Sequence, residues 1–420
     1  MGNLKSRRTF LARTGLAGAD LAAGVLAPAA ARAQDAKASN LPPNVPQWMK
    51  EPGEPVNWRA YGLPSAFEKQ VVKFKRPSVV PTEGVSLTPF QHLHGIITPS
   101  GVVFERQHGG VPNIDPAQHR LMLHGLVKRP LVFTMDDLVR FPSVSRIYFL
   151  ECSGNTSRDW RSVVSRDVQQ THGLLSCCEW TGVPLATLLD EAGLAPEASW
   201  ILAEGGDASG NSRSIPLAKC LEDVLVAYAQ NGEMLRPEQG YPVRLLVPGW
   251  EGNISVKWLR RLKVGNAPFM TRQETSRYTD LMPDGTAREL TFVMEAKSVI
   301  TFPSGGHRLK EKGFYEVSGL AWTGNRRIRR VDVSTDGGRT WREAALQEPV
   351  LNRALTRFRF PWKWDGGAAT LQSRAMDETG YVQPTRAQMI ALRGYNSRYH
   401  YNAIQSWGVA ASGEVSHVQV

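Results

Sequence analysis

Beyond about Leu290 the sequence breaks into short apolar runs separated by turn residues, and this pattern leaves the C-terminal region few ways to fold. Residues 315–321, 328–334, 341–346 and 369–376 each read as a strand. Asp336-Gly337-Gly338 supplies the left-handed backbone that a tight hairpin requires. Regular short strands with turn signals between them predict a β-sandwich of immunoglobulin type over 286–420.

The region before it carries both periodicities. Within 87–285, residues 119–126 read as a strand, 135–140 as a helical turn, and 184–192 as an amphipathic helix closed by Gly193. Residues 241–247 and 255–264 read as two further strands, and the loop Pro248-Gly249-Trp250-Glu251-Gly252-Asn253 between them is a candidate rim. The expected fold class is therefore α+β, a mixed domain followed by the sandwich. Residues 34–86, rich in proline and polar side chains, are expected to form an irregular arm over the domain surface. With 42% hydrophobic and 21% charged residues, the composition argues against large-scale disorder.

Residues 1–33 follow different rules. Ser6-Arg7-Arg8-Thr9-Phe10-Leu11 is a twin-arginine pattern, an apolar stretch covers 15–30, and Ala31-Arg32-Ala33 forms a small-x-small cleavage site. The apolar stretch is short and rich in alanine and glycine, so a removed Tat signal is expected rather than an anchor. No later segment approaches the roughly 18 apolar residues of a spanning helix. Such a signal implies periplasmic export of a folded protein, often around a cofactor. Its loss takes away five cations and one anion and lowers the formal net charge from +11 to +7. The remaining basicity fits an acidic partner or a diffuse solvated surface, and no nucleic-acid motif is present.

Four cysteines occur, and they form no evenly spaced disulfide framework. Without a Cys-x-x-Cys-His sequence, the chain is expected to carry no haem of its own. Cys177, Cys178 and Cys220 read as structural thiols. Cys152 differs, because it follows the apolar run Ile147-Tyr148-Phe149-Leu150 and precedes the turn formers Ser153-Gly154-Asn155. It stands where a strand ends and a loop faces outward. Three other pieces belong beside it. Arg106-Gln107-His108 follows the strand-like 101–104, Gln239-Gly240-Tyr241-Pro242-Val243-Arg244 begins one later strand, and Val256-Lys257-Trp258 lies in the next. Arginine, histidine and lysine converging at strand ends suit a phosphate-bearing anion. His92 and His94 are too few for a closed metal site and read as ordinary polar contacts.

Together these pieces resemble the sulfite oxidase family of molybdenum enzymes, whose metal cysteine stands in Cys-x-Gly-Asn, here Cys152-Ser153-Gly154-Asn155. Glu274-Thr275-Ser276-Arg277-Tyr278-Thr279-Asp280 and Asp377-Glu378-Thr379-Gly380-Tyr381-Val382-Gln383-Pro384 extend the likeness. Within the family they resemble the molybdenum subunits of the Sox sulfane dehydrogenases. The resemblance implies a sulfite-oxidase-type molybdopterin domain over 87–285 and an immunoglobulin-like dimerisation domain over 286–420. It implies molybdenum bound as Mo-molybdopterin, with Cys152 as the thiolate on the metal, a soft ligand suited to it. His108, Arg244 and Lys257 would then hold the pterin and its phosphate. Arg106 would face the oxo side of the metal, and Tyr278 would stand beside it. The implied reaction oxidises sulfane sulfur on the persulfidated cysteine of a carrier protein during thiosulfate oxidation. The implied partners are that carrier, a separate cytochrome c subunit, and a second copy of the chain, as a homodimer core within a hetero-oligomer.

The departures from the family pattern bear on substrate. Sulfite-oxidising members carry an arginine five positions after the metal cysteine; here Ser157 stands there, with Arg158 beside it. Losing a fixed cation weakens the hold on a small dianion relative to a less charged substrate. A sulfite dehydrogenase acting on free sulfite is the first alternative. Gln239 stands where the family has a histidine near the phosphate, and one of Arg357 and Arg359 is expected to enter the pocket from the second domain. Asn396, Tyr399, His400, Tyr401 and Trp407 read as packing or a partner face. Two other readings compete: a metal-free subunit whose basic groove holds an anionic partner, and a hydrolase using Cys152 with His108.

Overall fold

In the computed structural model, residues 61–163 and 165–420 are described, so the expected Tat signal and the first part of the expected arm lie outside the described residues. Contacts divide the chain into Met1–Pro64 and Ser65–Val420, and every strand below belongs to the second unit. Its first part holds strands β1 (Phe74–Arg76), β2 (Gly84–Leu87), β3 (Glu105–Gln107), β4 (Leu121–Gly125), β5 (Leu131–Phe133), β6 (Val144–Glu151) and β7 (Leu175–Pro184). There follow β8 (Trp200–Gly205), β9 (Ser212–Pro216), β10 (Leu225–Gln230), β11 (Glu233–Met234), β12 (Arg244–Leu246) and β13 (Leu259–Gly265).

Three sheets result. The first is β1-β2-β3; the second is β11-β10-β7-β6, with β12 also on β10; the third is β5-β4-β13-β8-β9. Short helices cover the third sheet. Met135–Arg140 starts at a reciprocal cap between Thr134 and Asp137, and Leu185–Ala192 stops at Gly193, whose φ of 69° suits a residue without Cβ. Leu185, Leu188, Leu189 and Ala192 bury one face of that helix, as their spacing predicts.

The strand β7 serves two cores at once. Cys177 packs with Phe149 and Trp322, whereas Cys178 packs with Trp180 and Leu246, because successive side chains leave opposite faces of a strand. The two neighbours therefore point apart, and all four cysteines are free thiols.

The C-terminal region is a sandwich of two antiparallel sheets. One holds Lys297–Phe302, Gly313–Trp322, Thr356–Trp364 and Ala345–Gln347; the other holds Arg342–Glu343, Ile328–Ser334, Ala369–Asp377, Ser406–Val409 and Val415–Val418. Val317, Leu320, Phe358, Val331, Leu371 and Trp407 fill the space between them. Gly337 and Gly338 turn the hairpin at φ of 75° and 87°. Among the described residues no helix is long and apolar enough to cross a membrane.

The sequence reading errs locally, for identifiable reasons. Part of the expected irregular arm is β1 and β2, short strands that pair with each other, β2 pairing also with β3. Residues 101–104 are not a strand: Ser100–Val102 forms one helical turn, and pairing starts at Glu105. Residues 341–346 split into Arg342–Glu343 and Ala345–Gln347, in different sheets, because buried Ala344 bonds Val331 and carries the chain across the sandwich. Lys257 lies outside a strand, since Trp258 adopts φ of 51° and the ladder begins only at Leu259.

Candidate functional site

At the end of β6 the apolar alternation stops and Cys152 begins a loop. Its backbone N–H still donates to Leu174 O at 3.0 Å, and Asn155 N–H donates back to Cys152 O at 2.8 Å, so the chain turns sharply. The Asn155 side chain fixes that turn by donating to Glu151 Oε1 at 2.9 Å and His172 O at 3.2 Å while accepting from Leu174 N–H. At Gly154 a Cβ would meet only Cys152 Sγ at 3.8 Å and the Tyr399 ring at 4.0 Å. Packing within the chain therefore does not demand glycine there; the space lies open beside the sulfur.

The loop faces a cavity of about 730 Å³, part of it open to solvent. Cys152, Arg106, His108, Arg244, Lys257 and Tyr278 all line it, so the six residues singled out in the sequence converge. Gly240 makes one convergence possible. At φ of 112° its missing Cβ would lie 3.1 Å from the side chains of both Arg244 and Lys257. Arg244 donates to Gln239 O at 2.9 Å and Ser255 O at 2.8 Å and stacks on Trp180. Lys257 donates to Gln107 Oε1 at 2.6 Å, Glu238 O at 3.0 Å and Arg106 O at 3.3 Å.

These cations are short of counter-charge. Burial and then Arg244 push the Lys257 ammonium down to about 7, and burial brings Arg244 down to about 10. His108 is pushed down to about 4, first by burial and then by Arg106, so its imidazole is neutral. His108 Nδ1, Asp207 Oδ1 and Asn253 Oδ1 are buried without a hydrogen-bond partner, and all three residues line the cavity. Unpaired cations beside unsatisfied donors and acceptors fit a ligand that has both a phosphate and a ring with N–H groups. Among the described residues no cluster of three or more His, Cys, Asp or Glu could hold an ion. A metal at Cys152 would thus bring its other donors with it, as a dithiolene does.

Tyr278 closes the cavity from above. Its ring lies 5.1 Å from that of Tyr399, with the Arg213 guanidinium 5.0 Å over it. Burial and then Cys152 push the phenol up, so it keeps its proton. Burial likewise raises the Cys152 thiol. No hydrogen bond joins Cys152 to His108, which removes the hydrolase reading's pairing of nucleophile and base.

Two features differ from expectation. Neither Arg357 nor Arg359 reaches the cavity: Arg357 donates to Gly95 O at 2.9 Å and Leu93 O at 3.3 Å, and exposed Arg359 pairs with Glu316. The second domain instead contributes Arg398 and Tyr399, which line the opening above Cys152, so the aromatic tail is not merely packing. Gln239, in the histidine's place, donates to Phe104 O at 3.0 Å and so braces the wall.

Sequence reasoning also missed the carboxylates on either side of the cysteine. Buried Glu151 accepts from Lys297 Nζ at 3.1 Å, Trp322 Nε1 at 2.7 Å and Asn155, joining the loop to the sandwich. Buried Glu251 accepts from Arg213 at 2.9 Å and faces His400 Nε2 at 3.3 Å. Glutamate directly before the cysteine was visible; its cationic partner 146 positions on was not.

Comparison with known proteins gives a consistent result. An oxidoreductase molybdopterin binding domain matches residues 108–273, and a Mo-co oxidoreductase dimerisation domain matches residues 288–406. Mitochondrial sulfite oxidase of Mus musculus is 33% identical over 327 residues, 71% of this chain and 60% of that protein. The NADH nitrate reductase of Ulva prolifera is 32% identical over 73% of this chain and 40% of that protein. The chain therefore spans about half the length of these curated relatives. The crystal structure of the sulfane dehydrogenase SoxCD from Paracoccus pantotrophus matches at a TM-score of 0.88 and 49% identity, covering 90% of this chain and 97% of that one.

Proposed function

Because this chain belongs to the molybdopterin oxidoreductase family that includes sulfite oxidase, we propose that it oxidises sulfane sulfur held on the cysteine of a carrier protein. The observation that carries the reading is one thiol, Cys152, set at a cavity whose buried cations Arg244 and Lys257 have no carboxylate in ion-pair distance among the described residues. The likeness to a sulfane dehydrogenase over nearly the whole of that chain favours bound sulfur as substrate.

Cys152 would hold molybdenum, and His108, Arg244 and Lys257 would hold the pterin and its phosphate, while Asp207 Oδ1 and Asn253 Oδ1 accept from ring N–H groups. When bound, that group supplies a centre that takes electron pairs from sulfur and delivers water-derived oxygen. Each turn adds one oxygen from water to the terminal sulfur and releases two protons and two electrons. Arg106 would steady the negative charge of the sulfur group, and Tyr278, holding its proton, would donate a hydrogen bond to the oxygen and pass protons outward. Tyr399 and Arg398 narrow the opening and limit bulk water.

The electrons would leave to a separate c-type cytochrome, and the sandwich would pair two copies into a homodimer core. The twin-arginine pattern supports periplasmic export. The test is a steady-state assay with cytochrome c, comparing persulfide on a carrier cysteine with free sulfite, alongside metal analysis. Molybdenum at stoichiometric level with faster persulfide turnover supports the proposal. Efficient sulfite turnover without carrier favours the sulfite dehydrogenase reading, to which the mouse relative lends weight. A folded chain without molybdenum favours the binding-subunit reading.

A further inference from the structure

The small N-terminal sheet sets a further cation, besides Arg277 and Arg398, at the mouth of the cavity. The register pairs Arg76 of β1 with Val85 of β2, and Val85 with Arg106 of β3. Residues paired across strands leave the same face, so the three side chains form a row, and all three line the opening above Cys152. With strands about 4.8 Å apart, Arg76 stands roughly 10 Å from Arg106 along that row. It precedes both matched domain segments in the chain.

The state of Arg76 marks it as open to a ligand. One N–H, on Nη2, donates to Gln170 O at 3.1 Å and anchors the side chain. Among the described residues no carboxylate lies within ion-pair distance of it, whereas its neighbour Lys73 is bound to Glu105 and Glu238. Burial and then Arg158 lower its pKa, while Cys152 raises it. Ser157, which lines the same opening from the Cys152 loop along with Gly154, carries no charge. The mouth thus holds a guanidinium from a residue two strands away from Arg106, with no carboxylate of the described residues in ion-pair distance.

A free oxyanion such as sulfite, a few ångströms across, is small against the roughly 10 Å backbone offset between Arg106 and Arg76. A tethered sulfur can engage both, if its carrier bears a negative group about one side-chain length from the reacting atom. We infer that Arg76 is a specificity-determining residue that binds a carboxylate of the substrate's carrier while the terminal sulfur enters beneath Arg106. The inference rests on the sulfane-oxidising reading above.

Glutathione persulfide, which carries carboxylates near its sulfur, and N-acetylcysteamine persulfide, which has none, separate the effects. With the molybdenum-loaded enzyme and cytochrome c, Arg76→Met should raise KM for glutathione persulfide about tenfold, the value of one charged hydrogen bond. It should leave kcat, molybdenum content and the KM values for N-acetylcysteamine persulfide and sulfite unchanged. Arg76→Lys should recover part of the loss. Calorimetric binding of S-sulfoglutathione should weaken similarly in Arg76→Met, whether or not turnover is observed. An equal effect on all three substrates, or none on glutathione persulfide or on binding, overturns the role of Arg76. A wild-type enzyme that binds S-sulfoglutathione through Arg76 yet oxidises no persulfide overturns the sulfane reading alone.

Discussion

Lys297 and Lys257 are both lysines drawn out of solvent near Cys152, but only the first meets a carboxylate. Lys297 sits on Glu151 at 3.1 Å and Thr156 at 2.8 Å, within a junction closed also by Trp322. Lys257 meets an amide oxygen and two carbonyls, beside a second buried cation, Arg244. A buried charge that finds its partner in the chain joins two parts of the fold; one that does not marks where a ligand supplies the partner. The contrast locates the site on charge balance alone, and it can be broken.

The largest expected effect is at the thiol both clusters surround. Cys152→Ser should lower turnover at least about a thousandfold, about 4 kcal/mol, and should lower molybdenum content with it. Unchanged cytochrome reduction would mean that the unpaired cations serve some other ligand. Next comes Lys297→Met, which strands buried Glu151 and should destabilise the protein by about 3 kcal/mol in urea unfolding. Pairing it with Glu151→Gln should recover much of that. Equal loss from Lys257→Met in metal-free protein would erase the difference between the clusters.

The third effect is a pH dependence. Lys257 is held below its ordinary value, so between about pH 7 and pH 10 the unfolded chain binds the extra proton. Metal-free protein should therefore gain stability as pH rises through that window, by at most about 1.4 kcal/mol per unit. Lys257→Met should flatten the slope, and a slope of opposite sign would refute the assignment. The smallest effect is the control: Arg359→Gln, at an exposed pair with Glu316, should change stability by no more than about 0.5 kcal/mol.

What the sequence disclosed, and what it hid, follows the same division. The sandwich strands, the helix ended by Gly193 and the outward cysteine were legible because local periodicity and turn chemistry specify them. The six cavity residues were legible through family motifs. Arg398 and Tyr399 were not, because they arrive on 394–405, a stretch without regular structure that no periodicity marks. Glu151 with Lys297, and Arg76 in one row with Arg106 across β2, depend on pairings between distant segments, which local pattern cannot express. The misplaced strand ends trace to single backbone choices, such as the left-handed Trp258.

The Glu151 junction bears on the order of maturation. The carboxylate next to the metal-ligand candidate is held by Asn155 of its own loop and by Lys297 and Trp322 of the late-synthesised sandwich, so two of its three side-chain partners arrive only after the rest of the loop has been made. The bracing of the cysteine loop is thus completed late in synthesis, when the sandwich packs against it.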